Sequence, residues 1–176
     1  MDDYSSTKLQ PWNNKMDKIE IVTITSTINI GDEAFKGATK ISSITISDSV
    51  KTIGSNSFEG CSGITQLSIG TGITEISENG FKGCSGIQEL TIPDQVTTIG
   101  KQSFSGCSKL NKITFGTENR KINKISEGSF SGCGALQSVI IPGSVTSIEV
   151  NAFTSTELTS VEYQGTSNPF TGSEKV

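Results

Sequence analysis

The sequence predicts a repeat solenoid: a right-handed coil with a concave parallel β-sheet, the rest being turns and short 3₁₀ pieces. Three observations predict it. One phenylalanine recurs as Phe35, Phe58, Phe81, Phe104, Phe130 and Phe153, at steps of 23 residues except for one step of 26. An isoleucine recurs in the same register as Ile30, Ile53, Ile76, Ile99, Ile125 and Ile148. A cysteine lies three residues after the phenylalanine in the middle repeats, at Cys61, Cys84, Cys107 and Cys133. Residues 96–115 therefore overlay residues 73–92 and 50–69.

A period of roughly 20–29 residues is that of leucine-rich repeats, and each coil carries the matching L-x-x-L-x-L strand. These strands are Ile41/Ile44/Ile46, Ile64/Leu67/Ile69, Ile87/Leu90/Ile92, Leu110/Ile113/Phe115, Leu136/Val139/Ile141 and Leu158/Val161/Tyr163. The last two apolar residues of each alternate with an outward one, the period of a half-buried strand. The chain then turns through Gly70, Pro93-Asp94 or Pro142-Gly143 and passes Val50, Ile73, Val96, Ile122 or Val145 to reach the Ile and Phe rows. The Gly-, Ser- and Asn-rich stretch at 53–61 is too short for a full helix and reads as a turn or a 3₁₀ piece.

Residues 1–18 fall outside the repeat and read as an N-terminal capping segment, with Tyr4, Pro11 and Trp12 supplying bulk before the first coil. Residues 19–176 read as the solenoid proper, about six to seven coils, ending within a connector as a piece of a longer array would. The first coil, with Ile19, Val22, Ile24 and Ile28, is one residue short.

Composition excludes some partners. A net charge of −4 and a pI near 4.9 argue against a nucleic-acid surface. No run approaches the ~18 apolar residues of a membrane span, and the start lacks the basic and apolar stretches of a signal peptide. The hydrophobic content of 32% suits coils that each bury only a thin slice of core. The four cysteines occupy equivalent positions, so they should form a buried ladder of free thiols, with Ala38 and Thr156 taking that place in the terminal repeats. Zinc would need close cysteine pairs or histidines, and the chain has no histidine, so neither a metal nor another cofactor is expected. There is likewise no histidine for general-base work, the thiols are inner-row residues, and no carboxylate pair marks a cleft. The chain does not read as an enzyme.

Two places could meet a partner. The outward strand row runs Thr23, Thr45, Ser68, Thr91, Thr114, Ile140 and Glu162, flanked by Gln66, Glu89, Lys112 and Gln137. From these surfaces Gln66, Glu89, Thr91, Lys112, Thr114, Gln137 and Ile140 are the candidate concave-face contacts. Ile140 breaks an otherwise polar row. The second place is a three-residue insertion: Phe115 to Ile122 spans seven residues where other coils use four. Insertions in solenoids bulge on one face, often the binding face, so Glu118, Arg120 and Lys121 are candidates as well.

The repeat closely resembles the BspA-like, or Treponema-type, leucine-rich repeat. The resemblance is carried by Val96-Thr97-Thr98-Ile99-Gly100, by Phe104-Ser105-Gly106-Cys107, and by residues 136–142, which read Leu-Gln-Ser-Val-Ile-Ile-Pro. Asp3-Tyr4-Ser5-Ser6 with Pro11-Trp12 resembles the segment ahead of the family's first repeat, and residues 163–169 resemble its Tyr-x-Gly-Thr connector. The resemblance implies a cell-surface or secreted protein that adheres to host matrix proteins, host cells or other microbes. Its ligand would be a protein or a glycan. The competing reading is a structural spacer or an intracellular scaffold. The C-terminal strand would present an open edge, a place for end-to-end association.

Overall fold

A computed structural model describes residues 15–25, 29–116 and 120–170. Within them each coil contributes one longer and one very short strand, except the last, which shows only the longer one; the strands are numbered here in chain order. The longer ones are β1 (Ile21–Ile24), β3 (Ser43–Ile46), β5 (Gln66–Ser68), β7 (Glu89–Ile92), β9 (Lys112–Phe115), β11 (Ser138–Ile141) and β13 (Ser160–Tyr163). The short ones are β2 (Asn29–Ile30), β4 (Thr52–Ile53), β6 (Glu75–Ile76), β8 (Thr98–Ile99), β10 (Lys124–Ile125) and β12 (Ser147–Ile148). All pairings are parallel, as stacking of like upon like requires.

The short strands form one continuous six-stranded sheet in which Ile30, Ile53, Ile76, Ile99, Ile125 and Ile148 stand side by side. This second sheet was not expected, because two residues are too few to show a period. The longer strands were expected to form one sheet and instead form three pieces: β1-β3-β5, β7-β9 and β11-β13. Both breaks fall ahead of a strand that is followed by proline. In three of the four pairings the residue after the later strand donates back to the earlier coil: Ser47 to Ile24 O, Gly116 to Ile92 O and Gln164 to Ile141 O, each at 2.9 Å. At that register β7 is followed by Pro93 and β11 by Pro142, which have no N–H to donate.

The segment around each phenylalanine is a run of turns rather than a 3₁₀ helix. Alternate N–H groups bond within the coil and to the next coil. Asn56, Phe58 and Gly60 donate to Glu78, Gly80 and Lys82 carbonyls at 2.7–3.1 Å, while Ser57, Glu59 and Cys61 donate three residues back. The alternation needs left-handed residues at two registers. The first holds Glu33, Asn56, Asn79, Gln102, Gly128 and Asn151, with φ between 52° and 61°. The second holds Gly37, Gly60, Gly83, Gly106 and Gly132 at 71–75°, with Ser155 at 58° in the last coil. A 3₁₀ helix keeps φ negative throughout, so these residues rule it out.

Between the sheets and the turns lies the core. The six phenylalanine rings stack with centroids 5.1–5.6 Å apart and planes within 12°. The four middle ones are wholly buried. The cysteines are buried and unbridged, each thiol donating to a phenylalanine carbonyl of the preceding coil, from Cys61 to Phe35 O at 3.0 Å through Cys133 to Phe104 O at 3.4 Å. Burial pushes the thiols of Cys61 and Cys133 up to about 12 and those of Cys84 and Cys107 well above the ordinary range. Ala38 fills the same place in the first coil, and Thr156 is half-buried in the last. Of the expected capping segment only the turn at 15–18 is described, with Met16 against the core. Tyr4, Pro11, Trp12 and Ile28 lie outside the described residues.

Candidate functional site: a cleft between two unpaired strands

Each break in the long-strand sheet opens a cleft. The one between β9 and β11 has a volume of about 380 Å³ and is lined by Lys112, Thr114, Arg120, Ser138, Ile140 and Gln164, with Ile113, Phe115, Val139 and Pro142 at its base. Strand alternation sets this order. Ile113, Phe115, Val139 and Ile141 turn into the core, so Lys112, Thr114, Ser138 and Ile140 turn out. Ile140 is 52% exposed, where an apolar side chain gains nothing from the core.

Gly116 and Arg120, near the two ends of the inserted segment, supply part of the wall. Arg120 Nε donates to Gly116 O at 3.1 Å, and its Nη1 donates to Gln164 Oε1 at 3.2 Å, so the guanidinium reaches from the coil of β9 to the end of β13. These bonds use two of the five guanidinium donors. Lys121 turns the other way, its Nζ donating to Gln95 Oε1 at 2.6 Å and its N–H to Asp94 O. Glu118 lies outside the described residues.

The cleft therefore gathers four of the residues singled out from sequence: Lys112, Thr114, Ile140 and Arg120. Gln66 and Glu89 line a second, shallower cleft between β5 and β7, with Thr45, Thr65 and Ser68. Thr91 is exposed between the two. Gln137 is exposed at the edge of β11, its carbonyl accepting Thr159 N–H at 2.9 Å. Sequence reasoning missed Gln164 and Pro142. Pro142 was legible as a turn signal, but its missing donor matters only once the register of the coils is known.

Two cations and no carboxylate line the β9–β11 cleft, on a chain of net charge −4. Carboxylates stand just outside the cleft: Glu162 accepts from Gln164 Nε2 at 3.0 Å, and Glu89 lies 3.8 Å from Lys112, the Lys112 and Glu89 side chains both being more than 60% exposed. A pair in that much water is worth less than about 1 kcal/mol and leaves Lys112 available to a ligand. Among the described residues no group of three His, Cys, Asp or Glu gathers that could hold a metal, and no helix is long and apolar enough to cross a membrane.

This is a repeat scaffold that offers outward side chains on a rigid stack. The chain belongs to the BspA type leucine-rich repeat family, whose model matches residues 12–124 in six copies. Among solved structures it is similar to a leucine-rich cell surface protein of Faecalibacterium prausnitzii, with 31% identity and a TM-score of 0.76 over 88% of this chain. The match spans 41% of that protein's length. It is also similar to the leucine-rich repeat protein of T. pallidum, with 23% identity and a TM-score of 0.76 over 81% of this chain and 68% of that one. The pneumococcal vaccine antigen PcpA matches with 24% identity and a TM-score of 0.73 over 85% of this chain and 42% of that one. The last two likenesses concern the fold alone. No curated protein matches the chain.

Proposed function

We propose that this chain is a non-enzymatic binding module of a cell-surface or secreted protein, adhering to a host matrix protein, a host cell or another microbe. The contact surface is the outward row of the long strands together with the inserted segment. The observation that carries this reading is the convergence of Lys112, Thr114, Ile140 and Arg120 on one cleft. Ile140 gains little from the core there, and an apolar group rimmed by polar ones is how contact patches are composed. The similarity to a protein described as a cell surface protein supports the location. The absence of any histidine and the burial of all four thiols remove the commonest general base and the most reactive nucleophile from the surface, which supports binding rather than catalysis.

The test is a triple substitution, Thr91→Glu, Thr114→Glu and Ile140→Glu. All three side chains point away from the core, so the thermal midpoint should stay within about 2–4 °C, the shift expected from ~1 kcal/mol in a chain of this size. Binding to immobilised matrix proteins and to whole cells should fall at least tenfold. If binding survives this change and also survives shortening of the 116–121 segment, the chain is a spacer.

A further inference from the structure

We infer that the β9–β11 cleft takes an acidic, partly apolar segment of a partner protein, seating an apolar side chain on Ile140 and a carboxylate between Lys112 and Arg120. The inference rests on the binding reading above and names its ligand class.

Charge complementarity carries it first. Lys112 and Arg120 are the charged groups lining the cleft, and both are cationic. Arg120 is held in place by Gly116 O and Gln164 Oε1 at 3.1 and 3.2 Å, so its remaining donors are already oriented. A fixed planar fork recognises carboxylate geometry better than a mobile ammonium does. Little of the ordering cost remains at the moment of binding.

The floor points to a peptide. Ile140 stands half in water beside Thr114, and the cleft's base is apolar. At about 380 Å³ the space suits one or two side chains rather than a whole domain. No backbone hydrogen bond joins β9 to β11, which leaves main-chain groups along the opening that an extended peptide could meet. A uronic-acid glycan offers the carboxylate but has no apolar side chain for Ile140. The second cleft lacks this character: Glu89 lines it and no cation does.

The test uses the ¹⁵N-labelled full chain and three nine-residue peptides that repeat Leu-Glu-Glu, Leu-Lys-Lys or Leu-Ser-Ser, with an oligogalacturonate as the glycan probe. The acidic peptide is expected to shift amides of Lys112–Phe115 and Ser138–Ile141, and to bind at least tenfold more tightly than the other two peptides. Arg120→Gln and Ile140→Ser should each weaken it about five- to tenfold, while Lys109→Gln, on a separate exposed site, leaves it unchanged. Equal binding of the basic or neutral peptide, shifts located elsewhere, or tighter binding of the oligogalacturonate at the same amides overturns the inference. The two readings fail separately. Loss of cell binding in the Thr91/Thr114/Ile140 variant without acidic-peptide binding by the parent sinks only the ligand class, whereas peptide binding by the parent with cell adhesion unimpaired both in that variant and after shortening of the 116–121 segment sinks the adhesive role.

Discussion

Replacing Gly106 by alanine isolates the left-handed backbone that the turns depend on. Gly106 has φ of 75°, and its N–H donates to Ser131 O at 2.7 Å, one bond of the ladder that joins neighbouring coils. A Cβ built there would lie 3.7 Å from Gly83 Cα, an ordinary contact, so crowding adds nothing. What remains is conformational. A Cβ in the left-handed region costs roughly 1–2 kcal/mol, and the stiffer unfolded chain returns about 0.4–1 kcal/mol. The net loss should be about 1 kcal/mol, read as a lower urea midpoint with unchanged slope or a fall of roughly 2–4 °C in thermal midpoint. Gly106→Asn should lose less than half as much, because asparagine visits that region readily. If the alanine variant is as stable as the parent, or the asparagine variant is the worse of the two, then φ is not what selects glycine in this row.

Phe104→Ala should cost about 3–5 kcal/mol by urea denaturation, because its ring is wholly buried between Phe81 at 5.3 Å and Phe130 at 5.6 Å. Phe153 stacks on Phe130 alone among the described rings, so Phe153→Ala should cost roughly 1 kcal/mol less; equal losses would mean that the end of the stack is covered as well as its middle. Pro142→Ala should return an N–H at the register where Gly116 and Gln164 donate to the preceding coil. The regained bond, about 1 kcal/mol, is offset by lost proline stiffness of about 0.4–1 kcal/mol, so stability should hardly move. Slower amide exchange in β9 and β11, with weaker acidic-peptide binding, is the readout, and unchanged exchange would show that something other than the proline keeps the strands apart.

Much of the fold was legible because a solenoid writes each contact many times. The phenylalanine, isoleucine and cysteine rows could be read as neighbours before any coordinates, since a fixed period with parallel stacking forces residue i beside residue i+23. The turn geometry was less legible, although asparagine at 56, 79 and 151 and glycine at 60, 83, 106 and 132 are the residues that accept positive φ. What hid it is Gln102 and Glu33, left-handed residues whose type does not announce it. The candidate site was legible residue by residue but not as a site. Lys112 and Ile140 sit on different strands, Arg120 on the insertion and Gln164 on the far side of β13. They meet only because one sheet opens beside the expanded coil, at a proline whose missing donor no motif announces.

That the sheet opens there without breaking the stack follows from how the coils are held. Across the β9–β11 break the short strands remain paired, Ile99 to Ile125 and Ile125 to Ile148, and the turn ladder continues from Phe104 N–H to Ser129 O at 2.8 Å. The Phe104–Phe130 ring distance, 5.6 Å, is only slightly the longest of the five. Two of the three seams between coils are therefore intact where the third is open. An amphipathic cleft on a globular sheet would have to be offset by strain or by new packing elsewhere. Here the buried rows and the outward row share a strand but not a face, and the rows behind the opening keep their neighbours. Substitutions at Lys112, Thr114 or Ile140 should thus alter what the surface meets while leaving the Phe and Cys rows as they are, which is the separation that a binding scaffold built from repeats requires.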